Sequence, residues 1–363
     1  MALQHSAWGS SALFVGYVCR MSGSGVSLFE FDRSPAYRAD MPPAATTGAA
    51  RDRLIATDPT DVLRRATICL VGTSVIIGII MIAFVDVRTD FMSLSAVAET
   101  TAALLLASAA LKRRGRLERL ETCFGAQGMT WLAGFAGGVI ALAGLRMQFP
   151  LRDESLYAID HALGLDGPTY VGWASHAPAM ITQAVGGSYT STLGILLLSI
   201  TAQALLGARL EVWRATFCFT GTLVTTCLIS IIVPAKGVAL WVADDVLARL
   251  PEEAGRYFWP GFERFYSGKT PIIHLNSIDA VVSFPSFHMI MGMIVLFLWR
   301  DRAVSFVIAM VWFVLMVAGT VPLGGHYFVD LIGGFVVWST WFWLSTRLAG
   351  SEGKGSESLI IVT

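Results

Sequence analysis

The chain has 363 residues, of which 55% are hydrophobic and only 14% are charged, and its mean hydropathy is +0.63. A soluble protein of this size carries about a quarter charged residues, so the composition excludes a typical soluble enzyme or disordered scaffold and indicates a membrane protein. Its 26 basic and 26 acidic residues balance, which leaves no general positive field for nucleic acid and argues against a nucleic-acid partner.

The two ends of the chain show no pattern typical of a folded domain. Residues 1–60 are rich in Ser, Gly, Ala, Pro and Thr without sustained periodicity, which predicts a mobile cytoplasmic extension. The first 20 residues contain Arg20 as their only charge and lack the basic start of a secretory signal, so no cleaved leader is expected. The polar segment 349–363 is predicted to be a loose tail.

Eight apolar stretches between these ends predict transmembrane helices. A bilayer core of about 30 Å requires about 20 apolar residues in a helix, because backbone groups in lipid must pair within their own segment. The fold class predicted is therefore all-α, a polytopic integral membrane helical bundle, with three helices in 61–150 and a second membrane domain in 151–348. The predicted spans are 66–85, 91–111, 122–145, 188–208, 215–235, 280–299, 303–329 and 325–346.

The distribution of Lys and Arg predicts the orientation of these spans. Basic residues concentrate before the first span and after the second, fourth, sixth and eighth, which places the N-terminus in the cytoplasm by the positive-inside rule. The opposite loops hold fewer, most of them in the long loop between spans five and six. Short loops and the expected absence of a leader favour a bacterial inner membrane.

Two histidines reach the same predicted membrane face, which is the extracytoplasmic one. His288 lies at the outer entrance of span six and His326 at the outer entrance of span eight. His326 and Asp330 are four residues apart, so on a helix they share one face. A carboxylate there can hold one ring nitrogen and leave the other free to attack. An ionised Asp at the centre of a membrane helix costs roughly 2.5 to 3.5 kcal/mol, so it usually has a partner or a function.

The same two helix entrances predict an anion site. Pro285 fits the first turn of a helix that Ser283 would cap, leaving the N–H groups of Ser286 and the two residues after it to bind a phosphate oxygen. Gly325 and the glycine before it are expected to act in the same way at span eight.

A structural cap or helix anchor is the alternative for each histidine. Zinc binding is a further alternative, but the spans offer no third convincing ligand, so neither a metal nor a cofactor is predicted.

These motifs resemble a known family. Pro-Ser-Phe-His at 285–288, followed by Gly-His-Tyr-x-x-Asp-x-x-x-Gly at 325–334, is similar to the type 2 phosphatidic acid phosphatase (PAP2) superfamily. The segment Val-Pro-Ala-Lys-Gly at 233–237 looks like the Pro-x-x-Gly element of its inositolphosphotransferase and sphingomyelin synthase branch. The resemblance extends over about residues 228 to 345 and implies that 151–348 is a PAP2-like catalytic domain.

The resemblance implies a role for each matching residue. His326 would be the nucleophile that forms a phosphohistidine, Asp330 its orienting partner, and His288 the acid and later the base. Ser286 would hold a phosphoryl oxygen. The substrate implied is a membrane lipid phosphate or phosphodiester, and the acceptor is water or an alcohol such as inositol.

The sequence departs from the phosphatase pattern at two cationic positions. The phosphatase pattern has a Lys that is followed seven residues later by Arg-Pro, and this motif is missing here. The third motif of the pattern opens with Ser-Arg, where this sequence has Gly-Thr at 319–320. These losses favour transfer of a phosphodiester-linked head group over hydrolysis of a phosphomonoester. Lys236 is a candidate replacement, with snorkelling to the interface as the alternative, and Arg256, Arg264 and Lys269 are further candidates. A lipid transporter or flippase and a plain lipid phosphatase are the competing functions, although the sequence shows no inverted repeat or broken helix typical of a transporter.

Overall fold

The computed structural model describes residues 58–85, 87–115, 117–268, 271–274 and 282–350, so most of the predicted extension and all of 351–363 lie outside the described residues. The predicted all-α membrane bundle is confirmed. A short parallel pair joins β1 (Arg88–Thr89) to β2 (Ile272–Ile273), and a 3₁₀ helix lies at Val238–Trp241. The α-helices are α1 (Pro59–Phe84), α2 (Phe91–Arg114), α3 (Glu118–Leu145), α4 (Asp153–Ala162), α5 (Gly167–Ser175), α6 (Ala179–Thr190), α7 (Thr192–Leu205), α8 (Arg209–Ile232), α9 (Asp244–Leu247), α10 (Trp259–Tyr266), α11 (Phe287–Trp299), α12 (Ala303–Thr320) and α13 (Phe328–Gly350).

Helices α3 and α8 form the centre of the bundle. In their most apolar 18-residue windows, 67% and 72% of the residues are buried, against 17% to 22% in α1, α2, α12 and α13. The two central helices pack against each other, and α1 packs on both of them. The outer helices present bare apolar side chains such as Phe84 and Ile308, which is favourable only where lipid replaces water.

The described residues contain six helices that are long and apolar enough to span a membrane, and seven if the bent pair α6 and α7 counts as one. All eight predicted stretches fall on helices, but the sixth is shorter than predicted. Helix α11 has 13 residues and begins at Phe287, because the residues before it are held in a non-helical conformation by hydrogen bonds to Asp330. Residues 275–281 lie outside the described part of the chain.

The predicted fourth span is broken in the middle. Helices α6 and α7 meet at Ser191 with a bend of 57°, whereas an unbroken helix was expected over 188–208. Hydroxyl groups cluster at the break: Ser188, Thr190 and Thr192 all donate to carbonyl oxygens of the preceding turn. Such bonds compete with the helical ladder and bend helices, especially beside glycine, as at 186–187.

The predicted seventh span also ends early. Helix α12 stops at Thr320 and not at 329, and a turn over 321–327 leads into α13, which begins at Phe328 and not at Gly325. Pro322 and the glycines at 324–325 interrupt the helical pattern. The turn carries His326 and places it just outside the helix that holds Asp330.

Asp160 fixes the start of α13. Its carboxylate accepts hydrogen bonds from the backbone N–H groups of Phe328 and Val329 at 2.8 Å and 2.7 Å. Burial raises the pKa of Asp160, and these two N–H groups oppose that effect. Asp160, which comes from α4, therefore accepts from N–H groups at the start of α13 that in most helices bond to the side chain of the N-cap residue.

We expect Asp160→Ala to destabilise the protein by about 1 to 2 kcal/mol, because it leaves two first-turn N–H groups without an acceptor. Asp160→Asn should lose part of this stability, because the two N–H groups bond to different carboxylate oxygens and the single amide oxygen can accept only one of them. Thermal unfolding of the wild type and both variants in detergent measures the differences. A melting temperature of Asp160→Ala equal to that of the wild type would show that this cap contributes nothing.

Candidate active site

His326 and Asp330 form a buried pair at the start of α13. The Nδ1 atom of His326 lies 3.1 Å from Oδ2 of Asp330. His326 is 4% exposed and Asp330 is fully buried. A carboxylate oxygen can only accept, so this contact favours a proton on Nδ1 and leaves Nε2 with its lone pair. The predicted pairing of the two residues is therefore present, although His326 lies in the turn before the helix.

Asp330 also connects α13 to the start of α11. The same Oδ2 accepts the hydroxyl of Ser283 at 2.8 Å and the N–H of Tyr327 at 2.9 Å. Its backbone carbonyl accepts the N–H of Ser286 at 2.9 Å. The other carboxylate oxygen, Oδ1, is buried and has no hydrogen-bond partner within the described residues. Three donors on one oxygen hold the carboxylate in one orientation.

The predicted cap of α11 is wrong. Ser286, and not Ser283, occupies the N-cap position, where its Oγ accepts from the N–H of Met289 at 3.5 Å. Ser283 lies too far before the helix to cap it, because α11 begins only at Phe287. Ser286 is fully buried, and its backbone N–H is already bonded to Asp330. Only its hydroxyl hydrogen is left to meet a phosphoryl oxygen.

Gly325 does not present the free N–H that was expected of it. Its N–H donates to the carbonyl of Val321 at 3.1 Å, and the N–H of Gly324 donates to Gly319 at 3.3 Å. Helix α13 begins three residues after Gly325, so neither glycine lies at the helix entrance. The donors at that entrance bind Asp160. The open helix end expected at the start of α13 is therefore wrong.

His288 lies close to His326. The centroids of the two rings are 6.1 Å apart with an interplanar angle of 72°. The His288 ring is half-buried and stacks on Tyr189 at 4.1 Å. The Tyr189 hydroxyl lies 3.2 Å from that of Tyr257. Sequence reasoning missed both tyrosines. The only signal for Tyr189 was an aromatic residue in the Gly- and Ser-rich stretch where α6 and α7 break, and Tyr257, in the loop before α10, carried no comparable signal.

Three glycines bring the loops of the site together. Gly237, Gly255 and Gly325 have φ values of +88°, +70° and +76°, which L side chains rarely adopt. A Cβ on Gly237 would overlap the carbonyl of Gly325, and one on Gly325 would lie 2.5 Å from the carbonyl oxygen of Gly255. The N–H of Val238 donates to Gly325 at 2.8 Å, and that of Gly255 donates to Leu323 at 2.7 Å. The turn before His326 is therefore fixed by two other loops.

Asp153 supports this junction from α4. It is buried and accepts the N–H groups of Lys236 and Gly237, at 2.9 Å and 2.8 Å, and the hydroxyl of Tyr327 at 3.0 Å. Burial raises the pKa of Asp153, while these hydrogen bonds act in the opposite direction. The Tyr327 hydroxyl accepts the indole N–H of Trp241 at 2.8 Å. Burial and the neighbouring Asp153 raise the pKa of Tyr327.

The candidate cations have other partners. Lys236 forms an ion pair with Glu263, which lowers the pKa of that carboxyl. Arg256 binds Asp244 at 2.8 Å and lies over Trp259 at 4.9 Å. Arg264 is exposed, and Lys269 lies outside the described residues.

The remaining outer histidines are bound elsewhere. His161 stacks with Tyr157, His176 contacts Arg249 at 2.6 Å, and His274 lies 3.1 Å from Asp90. Across the described ranges no cluster of three or more His, Cys, Asp or Glu side chains could hold a metal ion.

Comparison with known proteins identifies the family. The sequence matches the PAP2 superfamily over residues 154–344, which is more than half of the chain and includes both histidines and Asp330. The chain therefore belongs to the PAP2 superfamily, whose members are generally phosphatases and phosphotransferases. No curated protein and no solved structure gives a significant match.

We expect Gly237→Ala to destabilise the protein by about 2 kcal/mol or more, because a Cβ there combines a disfavoured φ with an overlap against Gly325. Activity should fall with stability, since the turn that carries His326 must move. Gly194→Ala is the matched control: this glycine has no atom within 4 Å of an added Cβ and no positive φ. Thermal unfolding of the two variants compares them, and equal melting temperatures would contradict the role of the junction.

Proposed function

We propose that this membrane protein transfers a phosphoryl or phospho-head group from a lipid phosphate or phosphodiester to an alcohol or water, through a phosphohistidine at His326. The observation that carries the proposal is the buried His326–Asp330 pair with the second imidazole, His288, at a ring separation of 6.1 Å. A phosphoryl group bonded to one ring and hydrogen-bonded at about 2.8 Å to the other fits a gap of this order.

The proposed reaction uses the two rings in turn. Nε2 of His326 attacks phosphorus, and the bond from phosphorus to the leaving oxygen breaks as His288 gives that oxygen a proton. His288 then removes a proton from the acceptor hydroxyl, whose oxygen attacks phosphorus and breaks the P–N bond. Asp330 keeps the Nδ1 proton in place and stabilises the positive charge that forms on the ring. The hydroxyl of Ser286 is available to one phosphoryl oxygen.

The charges around the site favour a phosphodiester as substrate. A phosphomonoester dianion requires strong cationic contacts, whereas Lys236 is paired with Glu263 and Arg256 with Asp244. A diester carries a single negative charge and needs less compensation. The inositolphosphotransferase-like reaction, with an alcohol such as inositol as acceptor, is therefore the favoured form of the proposal, and plain lipid phosphate hydrolysis is the second.

An apolar groove supports a lipid substrate. It runs between α5, α6 and α12 and is lined by Trp173, Ile181, Val185 and Leu323. Val185 lies one helical turn before Tyr189, which stacks on His288. An acyl chain in this groove would leave its head group beside the two histidines. Trp173 is 72% exposed, as suits a side chain at the lipid boundary.

The bias of Lys and Arg supports an orientation with this end of the bundle outside the cytoplasm, in a bacterial inner membrane by our proposal. One observation favours a transporter instead, namely the broken helix pair α6 and α7. The break, however, places Tyr189 against His288, so the candidate active site is itself an explanation for the broken helix. Covalent phosphate on His326 separates the two functions, because transport alone forms none.

We expect His326→Ala to abolish turnover without lowering the yield of membrane-inserted protein, because the variant loses the attacking nitrogen while a small side chain still fits the turn. The measurement is incubation of purified protein with ³²P-labelled lipid phosphates and phosphodiesters, with and without inositol. Released phosphate indicates hydrolysis, and a new labelled phospholipid indicates transfer. Acid-labile label should appear on the wild-type protein and be missing from the variant.

His161→Ala is the matched control, since this histidine lies in the same outer region and stacks with Tyr157. It should retain turnover and labelling. Full turnover by His326→Ala would remove the proposed nucleophile. Lipid movement across vesicles without any product or label would support the transporter.

We expect Arg256→Gln to lower kcat/KM by roughly tenfold to a hundredfold. Both chain neighbours of Arg256 lie at the site: Gly255 packs against Gly325, and the Tyr257 hydroxyl lies next to that of Tyr189. The Nε atom of Arg256 is buried and has no hydrogen-bond partner in the described structure. Arg256 is therefore the loop cation that we assign to the phosphate: its partner Asp244 is 88% exposed, so their ion pair is weak and leaves Arg256 able to contact a singly charged phosphodiester. Arg264→Gln, the same charge change at an exposed position of this loop, should have little effect. Equal losses of kcat/KM in the two variants would contradict the assignment of Arg256, because they would show only a general effect of positive charge in this loop.

A further inference from the structure

A groove with basic residues lies at the end of the bundle opposite to His326. It is formed where α1, α2, α3 and α8 meet, and its lining includes Arg64, Leu105, Lys112, Arg113, Met129 and Trp213. Trp213 lies in the second turn of α8, whose other end leads to the glycine junction beside His326. The 19 helical steps from Trp213 to Ile232 amount to about 28 Å at 1.5 Å per residue. The groove is therefore separate from the site described above.

The cations of this groove are only partly neutralised. Arg64 forms an ion pair with the buried Glu121 at 2.6 Å and lies over the Trp213 ring at 5.1 Å. Lys112 and Arg113, in the last turn of α2, are exposed, and the described part of the chain contains no ion pair or hydrogen bond to either side chain. Two positive charges thus remain beside the groove.

Trp213 contributes an unused hydrogen-bond donor. The residue is 1% exposed, and its indole N–H has no acceptor among the described residues. Buried donors are nearly always paired, so an orphan of this kind calls for an explanation such as a bound group. A ligand oxygen is the partner that an indole N–H can use.

The rest of the groove is apolar. Leu105 and Met129 line it together with Ile68, which is 44% exposed. Cations at one end and an apolar wall along the other match an amphiphile with an anionic head group and a hydrocarbon tail. A free phosphate would use only the cationic end.

We infer that this groove binds the phosphate head group of an anionic phospholipid from the leaflet opposite to the active site. The head group lies against Lys112 and Arg113, with the Trp213 N–H as a donor to an oxygen, and an acyl chain lies along Leu105 and Met129. The inference does not depend on the proposed reaction, because none of these residues belongs to the site around His326.

The test is lipid retention by the purified protein in mixed micelles of phosphatidylglycerol and phosphatidylcholine at equal amounts, measured by native mass spectrometry. The wild type should retain phosphatidylglycerol preferentially. The double variant K112Q/R113Q should lose that preference by about tenfold or more. Trp213→Phe, which removes only the N–H, should weaken it severalfold.

The matched control is R65Q/R114Q, which removes the same charge from α1 and α2 at the same end but outside the groove. It should retain the preference. Equal losses in the two double variants, or no preference in the wild type, would overturn the inference. Displacement of the lipid by glycerol 3-phosphate at similar concentration would overturn the lipid assignment, because it would show that the phosphate alone is recognised.

Discussion

The carboxylate of Asp330 is the contact on which the site depends. One oxygen of this buried side chain meets His326, Ser283 and the N–H of Tyr327. The three groups come from the turn before α13 and from the segment before α11. One acid therefore sets the orientation of one imidazole and the position of the helix that carries the other, which brings together two rings from segments separated by the whole of α12.

Acidic side chains organise this end of the bundle more widely. Asp160 occupies the start of α13, and Asp153 binds Lys236, Gly237 and Tyr327. Asp160 occupies the first N–H groups of α13, and Asp153 occupies those of Lys236 and Gly237. The start of α13 is thereby closed to anions, and the groups that we propose for the phosphate are the two imidazoles, the hydroxyl of Ser286 and a loop cation. The buried acids that fix these loops lower the positive potential at the site, which agrees with the proposed substrate of low charge.

The sequence predicted the His326–Asp330 contact better than its surroundings. Apolar run length located the helices, and the four-residue spacing of His326 and Asp330 indicated their contact, because both are local properties. Tyr189 and Tyr257 are 68 residues apart, and no local pattern brings them together. The capping error at Ser283 has the same cause, since its hydroxyl is used by Asp330, 47 residues away. Segments 269–270 and 275–281 of the outer loop lie outside the described residues, so the prediction for Lys269 remains a prediction.

Basic residues at the two ends of the bundle differ in whether they have acidic partners. Near His326, cations such as Lys236 and Arg256 are held by acidic partners, so little of their field is free to attract a multiply charged ligand. At the other end Lys112 and Arg113 have no acidic partner in the described chain, although Arg64 has Glu121. Unpaired cations at a membrane surface attract anionic lipid and also fix the orientation of the chain. The same asymmetry fits both proposals, a substrate head group of low charge at one end and an anionic phospholipid bound at the other.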